Sequence, residues 1–134
     1  MERAQLSFLA LILAVAGCAS DGGDINQPSG RKEPATAVSI VSGAQNLGSG
    51  AFAPNPVTVS LATSHVVQWT NNDQQEGSYG TTGTTHNITS NDGSFTAGSV
   101  APGNSVQATF SAPGTYSYHC SIHPTMVGEV SVTP

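Results

Sequence analysis

Three side chains that bind transition metals stand close together near the end of this 134-residue sequence. They are Cys120, His123 and Met126, at Cys-x2-His-x2-Met spacing. A thiolate and imidazoles in one plane, with a long axial methionine, form the ligand set of a blue-copper site. Zinc sites instead use cysteine, histidine and carboxylate ligands, so the thioether argues against zinc. The segment therefore predicts a copper site that still needs one imidazole.

The missing imidazole must come from another part of the chain, which has four histidines. His86, in Thr85-His86-Asn87-Ile88, is the best candidate. His119 lies next to Cys120, but successive residues of a strand point to opposite faces, so His119 cannot easily bind the same ion. His65 stands at the start of a separate apolar run and is expected to face solvent.

The combined pattern resembles the small cupredoxins, such as plastocyanin, amicyanin and pseudoazurin, and the short Cys-to-Met spacing is most similar to the amicyanin type. The matching motifs are Phe52-x-Pro54-x-x-Val57-Thr-Val59, Val66-Val-x-Trp69-x-Asn71-x-Asp73, His86-Asn87-Ile88, the ligand segment, and Gly128-Glu-Val130-Ser-Val132. The resemblance implies an all-β, Greek-key β-sandwich. It also implies one copper ion per chain, with His86, Cys120, His123 and Met126 as ligands.

The resemblance further implies a role for individual residues around the copper. In cupredoxins the histidine of the ligand loop reaches the surface through an apolar patch and passes the electron, and here it would be His123, between Ile122 and Pro124. The asparagine after the upstream ligand ties the two ligand loops together, and Asn87 matches it. The implied function is a monomeric one-electron shuttle between larger redox proteins, not an enzyme.

Two other functions stay open at this point. Copper nitrite reductases carry a histidine directly before the blue-copper cysteine, as in His119-Cys120, although they need two cupredoxin domains. Copper storage or delivery is the other alternative. Proteins of that kind tend to be rich in methionine and histidine, whereas this chain has two methionines, one of them Met1.

From Ala37 onward, short β-branched runs are separated by clusters of Gly, Pro and Asn, which is typical of an all-β sandwich or barrel. In runs such as Val57–Leu61 the apolar residues alternate, giving each strand the one apolar face that a sandwich requires. We expect seven to eight strands. Seven runs are evident: Ala37–Val41, Val57–Leu61, Val66–Thr70, His86–Ser90, Ser105–Phe110, Thr115–Cys120 and Gly128–Thr133. The expected large core residues are Phe52, Trp69, Phe95, Phe110, Tyr116 and Tyr118.

Residues 74–85 form an insertion relative to the cupredoxin pattern. They are dominated by Gln, Gly, Ser and Thr and are expected to form a mobile loop at the copper end of the sandwich. Loops of this length are often functional, and the sequence leaves the role of this one open.

The first 17 residues read as a lipoprotein signal peptide. Arg3 precedes an apolar run that ends at Ala16. This run is too short to cross a bilayer as a helix, which takes about 20 apolar residues. It fits the apolar region of a secretory signal instead. Val15-Ala16-Gly17-Cys18 resembles a bacterial lipobox, which predicts lipidation of Cys18. An ordinary secretory signal is the alternative.

The predicted organisation is a signal peptide over residues 1–17, lipidated Cys18 and a flexible tether over 18–36, and a cupredoxin domain over 37–134. The tether is rich in Gly, Pro and polar residues and has little to bury. With Cys18 assigned to lipid and Cys120 to metal, a disulfide between them is the alternative use of the two cysteines.

The charge distribution bears on partners and location. The net charge is −5, and from Ala37 onward there is no Lys or Arg, which argues against nucleic acid and against attraction to anionic lipid. We expect a lipid-anchored protein of the periplasm or cell surface. Because Ala19 and Ser20 follow Cys18, the outer membrane is expected where the organism has one.

Overall fold

The computed structural model describes residues 34–78 and 80–134. The predicted signal peptide, Cys18 and most of the tether lie outside the described residues. The strands are β1 (Thr36–Ile40), β2 (Phe52–Ala53), β3 (Val57–Ser60), β4 (Val66–Asn71), β5 (Gln74–Gly77), β6 (Gly80–Gly83), β7 (His86–Ser90), β8 (Thr96–Val100), β9 (Ser105–Thr109), β10 (Gly114–His119) and β11 (Val127–Thr133). Two 3-10 helices, Ala44–Asn46 and Gly48–Ala51, connect β1 to β2. In the described part of the chain, no helix has the length and apolar character to span a membrane.

Two sheets form the predicted β-sandwich, which is confirmed. One sheet has the strand order β2-β1-β4-β9 and the other β3-β11-β10-β7-β8. Parallel pairs join β1 to β4 and β3 to β11, while the neighbours of β10 are antiparallel to it. The expected count of seven to eight strands is too low. The described residues form eleven, because two-residue β2, the small-residue strand β8 and a hairpin in the insertion carry no clear apolar alternation.

The core lies between the sheets and is built on the aromatic residues expected from the sequence. Trp69 and Tyr118 are fully buried, with ring centroids 5.4 Å apart in an edge-to-face arrangement. Phe52 packs against Tyr118 at 4.9 Å, and Phe95 and Tyr116 are half-buried around them. Such edge-to-face aromatic pairs add about 0.5–1.5 kcal/mol each beyond the burial of their area. Burial also raises the pKa of the Tyr118 hydroxyl, so this core phenol stays neutral.

One glycine of β11 fixes the position of Tyr118. Gly128 lies directly opposite Tyr118 in the β10–β11 ladder, and a Cβ at Gly128 would overlap the tyrosine ring. The ring therefore occupies the space that any other residue at Gly128 would fill. The contact between Tyr118 and Gly128 therefore fixes how β10, the strand that leads into Cys120, packs beside β11.

The insertion forms a paired hairpin rather than the irregular loop expected from the sequence. β5 and β6 are antiparallel, from Gln74 opposite Gly83 to Gly77 opposite Gly80. The base of the hairpin is closed by Asn71, whose Nδ2 donates to the carbonyls of Thr84 (2.8 Å) and Val100 (3.0 Å). The expectation failed because four-residue polar strands bury no apolar face and so leave no period-2 signal.

Candidate metal centre

Strand ends bring the predicted ligands to one end of the sandwich. His86 is the first residue of β7, and Cys120 directly follows β10. Because these neighbouring strands are antiparallel, the start of one lies beside the end of the other. Met126 directly precedes β11, the other neighbour of β10. The sandwich therefore gathers residues that are far apart in sequence.

Three of the predicted ligands converge on a common point. Cys120 Sγ lies 3.9 Å from His86 Nδ1 and 3.8 Å from His123 Nδ1, and the two Nδ1 atoms are 3.2 Å apart. An ion bound in a plane by one sulfur and two nitrogens, at the bond lengths typical of zinc, would hold these donors roughly 3.5–3.8 Å apart. The observed separations are close to that range. The three donors therefore form a group that could hold one metal ion.

The donors lie in a dry environment. His86 and Cys120 are fully buried, while His123 is half-buried. The two ligand rings meet edge to face with centroids 5.0 Å apart. Access to the group is therefore limited to the side of His123.

The ligand loop from Cys120 to Met126 is closed by its own backbone hydrogen bonds. The Cys120 N–H donates to the Met126 carbonyl (3.1 Å), and the Met126 N–H donates to the His123 carbonyl (2.9 Å). The His123 N–H donates in turn to the Cys120 carbonyl (3.1 Å). Met126 itself is fully buried in the core. The backbone thus fixes the positions of all three predicted ligands of this segment.

Asn87 joins the ligand loop to the strand that carries His86. Its backbone N–H lies 3.4 Å from Cys120 Sγ and donates to the sulfur. Its side chain donates to Ser121 Oγ (2.6 Å) and accepts from the Ser121 N–H (2.7 Å). The backbone contact places a donor directly on the sulfur, which binds metal as the thiolate. These contacts tie the two segments together around the sulfur.

Asp73 is a buried acid at the site that the sequence analysis did not assign. Its Oδ2 lies 2.9 Å from His86 Nε2, on the side of the ring opposite the other donors. The residue is only 6% exposed, and its Oδ1 accepts a hydrogen bond from the Gly43 N–H (2.7 Å). The sequence signals were its place in the Asn71-x-Asp73 motif and its position two residues after the buried strand β4. They did not reveal the contact with His86, because the β5–β6 hairpin separates the two residues in the sequence.

The remaining described histidines lie outside the group. His119 points away from the sulfur, and its Nδ1 lies 2.7 Å from Asn91 Oδ1, as the alternation of β10 predicts. His65 precedes β4, whose far end at Asn71 lies at the candidate site. His65 therefore lies at the end of the sheet opposite to the candidate site. Neither residue is part of the His86, Cys120 and His123 group.

Apolar residues are exposed beside His123. Ile122 is 51% exposed, and Leu47, between the two 3-10 helices, is 47% exposed. The two segments adjoin, since Thr125 Oγ1 donates to the Gln45 carbonyl (3.1 Å). An accessible apolar surface thus lies on the side from which the ligand group can be reached.

Comparisons with known proteins agree with this arrangement. The family model of the cupredoxin-like domain matches residues 6–132. A purple cupredoxin from Nitrosopumilus maritimus is 26% identical with a TM-score of 0.59, over 73% of this chain and 99% of that one. A Cu-containing nitrite reductase from Thermus scotoductus SA-01 is 27% identical with a TM-score of 0.56, over 75% of this chain but 23% of that one.

A reduced amicyanin mutant is 21% identical with a TM-score of 0.53, over 73% of this chain and 81% of that one, and shows a shared fold. The family match spans most of the sequence, and the fold and the ligand group agree with it. The chain belongs to the cupredoxin-like domain family.

Proposed function

We propose that this protein is a type 1 (blue) copper electron carrier that binds one copper ion through His86, Cys120, His123 and Met126. The convergence of one sulfur and two imidazole nitrogens in a buried group carries the proposal. Copper bound there would supply a one-electron couple whose potential depends on the axial ligand and on the surroundings of the sulfur. The described donor set fits copper because thiolate, imidazole and thioether are ligands that copper accepts together.

The protein holds the metal-binding side chains rigidly and provides a point of contact for redox partners. The ligand loop is closed by backbone hydrogen bonds, and Asn87 fixes it to β7. Donors held in this way need little rearrangement when the charge at the site changes. His123 is the half-buried member of the group beside exposed Ile122, so we assign to it the contact with redox partners.

We further propose that the protein works as a lipid-anchored monomer at the periplasmic or cell-surface side of a membrane, attached through Cys18. Its partners would be larger redox proteins. The cupredoxin domain, residues 37–134, has no Lys or Arg, so long-range electrostatic steering of partners is weak. The exposed apolar surface at Ile122 and Leu47 suits a short-range docking contact.

Copper titration tests the proposed function. The processed protein should bind one copper per chain and show the intense visible absorption of a copper–thiolate pair, which should vanish on reduction and return on reoxidation. Copper affinity should fall at low pH, because metal competes with protons for the sulfur and the imidazoles. Bound metal should also raise the melting temperature by mass action. A Cu(II) form without strong visible absorption would refute the proposal.

The same preparation separates the alternative functions. A carrier keeps its copper through repeated reduction and oxidation, whereas a storage or delivery protein should release it to a Cu(I) chelator. A reductase component should consume nitrite in the presence of an electron donor. We expect copper retention and no nitrite consumption, because His86, Cys120 and His123 form the single cluster of three or more metal-binding side chains among the described residues, which leaves no second group for a catalytic copper there.

Shortening the β5–β6 hairpin tests whether the insertion supports the site. Replacing residues 76–81 by Asn-Gly, a dipeptide suited to two-residue hairpin turns, should leave copper affinity and absorption unchanged, because Asn71 closes the hairpin at its base. The control Asn71→Ala removes that closure and should lower the free energy of unfolding by about 1–3 kcal/mol through unsatisfied buried carbonyls. A lost or shifted spectrum in the shortened variant would mean that residues 76–81 are needed to position His86.

A further inference from the structure

We propose that Asp73 is a positioning residue for the metal centre: it fixes the tautomer of His86 so that Nδ1 faces the other donors, and its charge lowers the reduction potential of the site. The inference rests on the proposed copper site. The two nitrogens of the buried His86 ring face chemically different surroundings.

The surroundings of His86 define which nitrogen can hold the proton. Nδ1 faces Cys120 Sγ at 3.9 Å and His123 Nδ1 at 3.2 Å, whereas Nε2 faces Asp73 Oδ2 at 2.9 Å. A neutral imidazole has one N–H and one lone pair, and an ionised carboxylate only accepts hydrogen bonds. The proton therefore belongs on Nε2, which leaves the Nδ1 lone pair directed at the ligand group. Metal-binding histidines commonly depend on such an outer carboxylate.

The carboxylate is itself held by several contacts. Its second oxygen, Oδ1, accepts from the Gly43 N–H at 2.7 Å, where glycine adopts a left-handed φ of 73°. The Asp73 backbone N–H donates to Asn71 Oδ1 (3.0 Å), and its carbonyl accepts from the Thr84 N–H (3.1 Å). Asp73 is thus anchored at the base of the hairpin and cannot easily turn away from His86.

The charge of Asp73 also acts on the redox equilibrium. A carboxylate bound to the outer nitrogen makes an imidazole a more basic ligand. A buried negative charge favours the more positive of two neighbouring charge states, since an opposite charge stabilises the ionised form. Both effects stabilise the oxidised site more than the reduced one. Asp73 should therefore hold the reduction potential below the value found with a neutral residue.

Asp73→Asn removes the negative charge and changes the hydrogen-bonding groups, but it keeps the size of the side chain, because the two side chains have nearly the same shape. Two N–H groups, from Gly43 and His86, each need an acceptor at this position. An amide offers one oxygen and one NH2 group. If its oxygen turns to Gly43, its NH2 group faces Nε2 and favours the tautomer with the proton on Nδ1, which cannot bind metal.

The experiment compares full-chain wild type, Asp73→Asn and the matched control Asp92→Asn. Asp92 is an exposed acid in the turn at the far end of β7, and its Oδ1 accepts from the Ser94 N–H (2.9 Å), which an amide oxygen can also do. The first measurement is the tautomer of His86 in metal-free protein, from imidazole 15N shifts at a pH where the ring is neutral. The others are copper affinity and reduction potential.

We expect the proton on Nε2 in wild type and a shift toward Nδ1 in Asp73→Asn. Loss of such an outer-shell partner costs about 10–100-fold in metal affinity, and the potential should rise, with Asp92→Asn unchanged in all three measurements. A wild-type proton on Nδ1 would overturn the proposal even if the variant failed to fold. A variant that loses stability but keeps the tautomer, affinity and potential would also overturn it. Absence of copper binding by wild type would refute the proposed function, while the tautomer result would still decide the role of Asp73.

Discussion

Replacing Cys120 with serine is expected to abolish the intense visible absorption and to weaken copper binding more than any other single change. The serine hydroxyl is close to the thiol in shape, so the side chain at position 120 should stay buried at the end of β10. The hydroxyl does not ionise near neutral pH, however, and is a poor ligand for copper. The loss of affinity should exceed the about 10–100-fold that outer-shell substitutions cost. Absorption spectroscopy and a competition titration with a chelator measure both effects.

Ser117→Ala is the matched control for this substitution. Ser117 is an exposed residue of β10, the strand that Cys120 follows. It lies on the face opposite Tyr118, so its replacement should leave colour and affinity unchanged. The metal-free Cys120→Ser protein should unfold at nearly the same temperature as metal-free wild type. An undiminished visible band in Cys120→Ser would show that the absorption does not arise from this sulfur.

Replacing Cys18 with alanine is expected to move the protein from the membrane fraction to the soluble fraction, or to block its processing. The prediction follows from the lipobox sequence and concerns residues outside those that the structure describes. Each buried methylene of an acyl chain contributes about 0.8 kcal/mol to membrane binding, so removing the lipid anchor removes nearly all of the attachment. Cell fractionation and the mass of the mature protein report the result.

Cys120→Ser serves as the control here, because it also removes one thiol but leaves the lipobox intact. That variant should stay with the membrane. Unchanged membrane retention of Cys18→Ala would mean that the anchor lies elsewhere. Release of both variants would point to a folding defect rather than to the loss of a lipid.

The sequence predicted the strands that bury an apolar face. His86–Ser90 matches β7, and Val57–Leu61 ends one residue beyond β3, because alternating β-branched residues report which side of a strand is buried. It missed β8, Thr96–Val100, whose small residues give no such contrast. It also missed the β5–β6 hairpin, whose pairing depends on backbone hydrogen bonds rather than on buried side chains.

At the candidate site, the sequence indicated the ligands that stand close together in one segment, but it did not indicate the contact between Asp73 and His86. Cys120, His123 and Met126 stand in one segment, so their types and spacing indicated copper directly. The structure brings His86 to this segment, while the assignment of Met126 as a ligand stays a prediction. The contact of Asp73 with His86 spans 13 residues and depends on how the hairpin base closes, which residue types alone do not specify.

The pairing of β3 with β11 has a consequence for how the protein matures. Val57 lies opposite Val130, so this sheet closes only after most of the domain has emerged and a long loop has lost its entropy. All-β domains dominated by such remote pairings fold in milliseconds to seconds, slowly compared with helical bundles. Until β11 docks beside β10, the thiol of Cys120 is open to solvent and to oxidants. The timing of folding therefore determines when this sulfur becomes enclosed.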